Sequence, residues 1–141
     1  MAMELILIMA LNNEPDIDYL NNKATEHRVD LEYKVKLSLE KQTGFYPIQY
    51  KGGESGFEIY KLEYSKVIEM LPPPESGFPK SGNVYQFRFG ASHNEPAVTF
   101  YTASFFAELS GIYVFETQGG QYMSAAQLFE GAKFMEKTDE K

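Results

Sequence analysis

The residues with the most chemical potential lie close together in FRFGASHNEP, positions 87–96. Arg88, His93 and Glu95 sit there around Gly90, and Glu58 is available from an earlier strand-like stretch. A general base needs a nucleophile or a substrate proton within reach and a second group to orient it. His93 with Glu95 or Glu58 would supply base and orienter, and Arg88 would clamp an anion. The same residues have a structural reading. Ser92 or Asn94 caps the helix that Pro96 opens, and Glu95 in its first turn complements the helix dipole. Arg88 then pairs across strands with a carboxylate such as Glu58, or stacks on a ring. We read the stretch as a corner, with no catalytic residue and no enzyme. A ligand pocket or active site around Arg88, His93 and Glu58 is the alternative.

Other chemistries find less support. There is no Cys, so disulfides, thiolate metal sites and a cysteine nucleophile are absent. His27 and His93 are the only imidazoles, and neither has a partner at ligand spacing in the sequence. EPDID, 14–18, lacks the glycine and distal glutamate of a calcium loop and reads as a charged helix start. KGGESG, 51–56, lacks the lysine-hydroxyl ending of a phosphate loop and reads as a flexible hairpin turn. No serine elbow is present. We expect no metal and no cofactor.

The elements that would position these residues follow from periodicity. Glu4–Leu11 reads as a buried strand. Its apolar run is too short for a bilayer, which takes about 20 residues, and Glu4 stands where a signal peptide carries positive charge. Asn13 caps a first helix with Pro15 just inside it, and Ile17, Leu20, Ala24 and His27 share its face. Leu31 to Leu39 alternates with a period of two, a strand with one wet face. Phe45–Tyr50 is a short strand pushed to an edge by Pro47. Phe57–Tyr64 is a strand, Ser65–Leu71 one or two helical turns, and 72–82 an irregular loop set by its prolines. Val84–Phe89 alternates, with Tyr85, Phe87 and Phe89 on one side. Val98, Tyr101, Phe105 and Leu109 then make a helix apolar enough to pack on more than one side, with Gly111 as its left-handed exit. Ile112–Phe115 is a strand, 118–121 a tight turn, and Ser124 with Gln127 a capping box for a last helix.

The order β-α-β-β-β-(short helix)-β-α-β-α describes one α+β domain over 1–137 with a fraying tail at 138–141. Its sheet is largely antiparallel, with two or three helices on one face. A chain of 141 residues with 43% hydrophobic content buries a core without staples.

Charge narrows the partners. The net charge is −7, and no Lys or Arg occurs between Arg88 and Lys133, whereas Glu95, Glu108, Glu116 and Glu130 do. Nucleic-acid binding needs a cationic footprint that this chain lacks. An acidic surface steers basic partners. Ten Tyr and eleven Phe are more than a domain of this size must have; β-propensity favours most of them as core or sheet-face residues, while tyrosine is also enriched at binding surfaces. Tyr46, Tyr50, Tyr60, Tyr64 and Tyr122 are the candidate anchors, near Glu54, Glu58 and Glu63.

SGFEIY (55–60), FRFG (87–90) and LSGIYVFETQGGQYMSAAQL (109–128) together resemble a group of small bacterial α+β proteins, some encoded beside toxins and taken to be immunity proteins. The resemblance spans about residues 55–135. It implies Gly56 and Gly90 at bends, Phe57 and Phe89 in the core and a hairpin over Gln118–Tyr122. Phe89 stands where such proteins often carry tryptophan. No catalytic residue is implied. The expected protein is thus a small acidic, cytoplasmic protein-binding domain, an immunity-type inhibitor that occludes a basic toxin. It engages neither nucleic acid nor membrane, and is a monomer or weak homodimer. A module that self-associates through the 45–50 strand is the remaining alternative.

Overall fold

The computed structural model describes residues 3–10, 14–39 and 43–139. Its elements are β1 (Met3–Ala10), α1 (Ile17–Glu26), β2 (Leu31–Glu32), β3 (Gly44–Tyr50), β4 (Gly53–Leu62), α2 (Tyr64–Met70), β5 (Gly82–Phe89), α3 (Glu95–Ala107), β6 (Ile112–Glu116), β7 (Gln121–Met123) and α4 (Ala125–Asp139). The strands form one seven-stranded sheet in the order β2-β3-β4-β5-β1-β6-β7, and every pairing is antiparallel. This is the expected α+β domain, with β7 as an added strand.

Period-two alternation divides the sheet into two faces. Leu5, Leu7 and Met9 of β1, Tyr85, Phe87 and Phe89 of β5, and Phe57 and Ile59 of β4 enter the main core with residues of α1, α3 and α4. Ile6, Ile8, Val84 and Phe115 point the other way and meet Val67 of α2, flanked by Leu62, Tyr64 and Leu71. Three helices therefore cover one face, as expected, and α2 covers part of the second.

Every residue of α3 from Ala97 to Phe106 is buried, because it is packed on more than one side. Its polar side chains are satisfied within the helix: Thr99 Oγ1 donates to the Glu95 carbonyl at 2.6 Å, Thr102 Oγ1 to Val98 at 2.9 Å and Ser104 Oγ to Tyr101 at 2.6 Å. The α4 residue Gly131 lets the Phe100 ring approach to 3.1 Å from where a Cβ would stand. The capping box forms as read: Gln127 N donates to Ser124 Oγ at 3.1 Å and Ser124 N to Gln127 Oε1 at 2.9 Å.

Several expectations are corrected. The first helix is capped by Asp16, whose Oδ1 accepts from Tyr19 N at 2.9 Å, so Pro15 precedes the helix. Asn13 lies outside the described residues. The alternating run from Leu31 yields only the two-residue β2. Asn21 of α1 takes both backbone groups of Tyr33: its Nδ2 donates to the Tyr33 carbonyl at 2.9 Å and its Oδ1 accepts from Tyr33 N at 2.8 Å. That side chain replaces a neighbouring strand. KGGESG is mostly β4; the turn is just Lys51–Gly52, both at positive φ (50° and 78°), the backbone of a two-residue hairpin. Gly111, at φ 82°, serves the turn into β6, beyond the end of α3 at Ala107. Finally, α4 continues to Asp139, so the first half of the expected tail is helical.

Candidate functional site

The second face of the sheet, beyond the reach of α2, carries the exposed polar chemistry. Arg88 on β5 lies opposite Glu58 on β4 and Glu4 on β1. The three alternate in sign along one row, which favours the register. In the next row Tyr60 faces Gln86. Tyr60 Oη donates to Glu58 Oε1 at 2.6 Å, and this bond to a carboxylate raises the phenol above its ordinary value. Gln86 donates its amide to Glu4. Arg88 makes no ion pair with Glu58 or Glu4 in this structure, so the expected cross-strand partners face one another in register without closing a salt bridge.

Phe45 completes this surface, and the sequence reading did not single it out. It is 46% exposed on β3, opposite Glu58. Its ring lies over Gly56, with Cζ 2.7 Å from where a Cβ on that glycine would be. Gly56, at φ +141°, is thus the flat spot that accepts the ring. Glu54 and Glu58 flank it along the same side of β4. A signal was available: Tyr46, Ile48 and Tyr50 set the inward phase of β3, which leaves Phe45, Pro47 and Gln49 outward.

The other expected anchors divide. Tyr46 and Tyr50 are core residues, 1% and 3% exposed, and are not surface anchors. Tyr46 Oη donates to the Val35 carbonyl at 2.6 Å, and burial pushes its phenol up to about 12. Tyr50 bonds Glu136. Tyr64 and Tyr122 are half-buried struts for the proline-rich loop: Tyr64 donates to the Pro79 carbonyl and Tyr122 to that of Pro72, the latter at 2.7 Å. Glu63 is exposed at the start of α2, 3.6 Å from Lys66.

The corner after β5 is structural in its bonding. Gly90 N donates to Glu95 Oε1 at 2.8 Å, and Ser55 Oγ donates to the His93 carbonyl at 2.6 Å. His93 and Asn94 both take left-handed φ, 57° and 62°, a conformation for which Asn and His are enriched. Asn94 holds the cap position without a side-chain cap bond, so the expected capping by Asn94 does not form; Glu95 instead ties the helix start back to Gly90 at the end of β5. None of the cavities described here is lined by Arg88, His93 and Glu58 together.

His27 gains partners that its sequence neighbourhood did not reveal. Its Nε2 lies 2.8 Å from Glu108 Oε2 and 3.5 Å from Glu26 Oε2. These three residues bring possible metal-ligating atoms within 4.8 Å of one another. Lys23 Nζ is already seated there, 2.9 Å from Glu108 and 3.3 Å from Glu26. Desolvation opposes the charged Glu108 carboxylate, but hydrogen bonds from Lys23 and His27 outweigh it and hold its pKa below the ordinary range. The imidazole stacks on Phe105 and tilts against Phe129. The cluster is a clasp joining α1 to the end of α3.

A groove of about 500 Å³ runs between α2 and the second sheet face. Ile6, Leu62, Val67, Met70, Leu71 and Phe115 form its apolar lining, and Glu4, Gln86 and Thr117 lie toward the open sheet. No helix among the described residues is long and apolar enough to cross a membrane. Compared with family models, curated proteins and solved structures, the chain matches none.

Proposed function

We propose that this protein is a small acidic protein-binding domain that works by occlusion, in the manner of an immunity-type inhibitor of a basic toxin. The observation that carries the reading is the open patch on β3, β4, β5 and β1. There an exposed Phe45 ring lies between Glu54 and Glu58, beside Tyr60, and carboxylates outnumber the single guanidinium of Arg88. Aromatic anchors give large contact area at low entropic cost, and surrounding carboxylates complement a basic partner. The backing is rigid, because the opposite face of the same strands is buried under three helices. The net charge of −7 adds steering toward a cationic surface.

The test is capture of a protein partner from the source cells on immobilised protein, followed by binding measurements on the purified partner. Wild-type protein is expected to retain a basic protein that Phe45→Ala and Glu58→Lys variants release. No captured protein, or equal capture by all three, would count against the reading.

A further inference from the structure

We propose that the groove between α2 and the sheet is a binding site for a small amphipathic cation, with an apolar body and an ammonium or similar donor head. The groove shares Glu4 and Gln86 with the edge of the patch described above, but its apolar body lies under α2, and the proposal does not depend on a protein partner. Its size lies within the range of small-molecule sites, roughly 300–1,000 Å³. The lining has the matching character: mainly apolar walls, with a few polar groups gathered at one end to orient a ligand. Ile6 and Phe115 form the floor from adjacent strands, and Leu62, Val67 and Leu71 form the flank. Met70 stands at the rim, 80% exposed, so an apolar ligand would cover surface that water now meets.

The charge balance selects the head group. Lys66 and Glu63, on the α2 side, lie 3.6 Å apart and largely cancel. Glu4 accepts an amide hydrogen from Gln86 and has no ion pair among the described residues. Its backbone carbonyl accepts from Thr117 Oγ1 at 3.1 Å, which fixes the strand beneath it. The polar end of the groove therefore offers a carboxylate that Gln86 orients and that closes no ion pair with Arg88, which faces it from the neighbouring strand outside the groove lining. A carboxylate accepts and does not donate, so the complementary head is a cation or a strong donor. An anionic head would be repelled.

Three probes with one tail separate head from body: n-hexylammonium, 1-hexanol and hexanoate, titrated against the full chain and followed by methyl NMR. Saturable shifts are expected at Ile6, Leu62, Val67, Met70 and Leu71, with affinity falling from ammonium to alcohol to carboxylate. Glu4→Gln keeps the shape and should weaken hexylammonium about tenfold, the scale of a hydrogen bond to a charged group, while leaving hexanol unchanged. Leu71→Ala should weaken all three and preserve their order. Equal affinities, an order unchanged in Glu4→Gln, or shifts confined to other surfaces would overturn the proposal. So would probes that fail to bind while groove variants lose a protein partner, because the groove would then be a protein anchor.

Discussion

At the scale of single residues, the buried phenols and the Glu108 carboxylate should make stability depend on pH. Burial raises Tyr46 and Tyr122 to about 12 and drives Tyr33 and Tyr101 higher still, from an ordinary 10.0. A group whose folded pKa is raised contributes stability that is complete below the unfolded value and is lost as pH climbs through the folded one. Stability should therefore hold up to about pH 10 and fall steeply between about 10 and 12. Urea titrations at stepped pH would show it, and Tyr46→Phe should flatten part of the slope. Glu108 has the opposite sign. Its folded pKa is depressed, so its contribution is present above the ordinary 4.5 and disappears as pH falls through the folded value. Glu108→Gln should remove that part of the acid sensitivity, and a variant with unchanged acid dependence would show that the clasp does not stabilise the fold. Little of this was legible in the sequence, because Lys23, His27 and Glu108 are brought together by the packing of α1 on α3. The tyrosine count was visible; which phenols are buried depends on strand phase and on what covers each face.

At the scale of elements, local signals were reliable where one stretch of chain decides the outcome. The Ser124–Gln127 capping box, the proline-bounded loop and the alternation over 84–89 all formed as written. The failures came where a distant residue competes for backbone bonds. The run from Leu31 to Leu39 has strand periodicity, yet Asn21, a helix residue with poor propensity, captures Tyr33 and ends the ladder. Asn21→Ala should cost about 1–2 kcal/mol: two stranded backbone groups, partly offset by better helix propensity. Chemical denaturation would measure it, and a neutral result would mean that Tyr33 finds other partners. Gly56 is a second decisive point. A methyl there would meet the Tyr46 carbonyl oxygen at 2.2 Å in a backbone at φ +141°. Gly56→Ala should cost at least the roughly 1–3 kcal/mol of the strained backbone alone. It should also lift Phe45 off the sheet, which would show as a change at the Phe45 ring by NMR. The expectation of a bend at Gly56 came from the resemblance; its role as a seat for an exposed ring needed the pairing of β3 with β4.

At the scale of the whole molecule, one face of the sheet is committed to the core and the other is divided. The part under α2 forms the groove, and the part beyond it carries the acidic and aromatic patch. Self-association by strand addition at β3 is discouraged, because Pro47 has no N–H to offer and β2 already pairs with Gln49 and Tyr50. The central claim is that this open patch binds a basic protein through an electrostatically steered encounter and an aromatic anchor. The direct measurement is the association and dissociation rates of the captured partner at low and high ionic strength, for wild type and Phe45→Ala. The account predicts an association rate that falls as salt rises, and a Phe45→Ala variant that associates normally but dissociates more than tenfold faster, the scale of a loss of about 2 kcal/mol at a hot spot. An association rate indifferent to salt, together with an unchanged dissociation rate for Phe45→Ala, would contradict it.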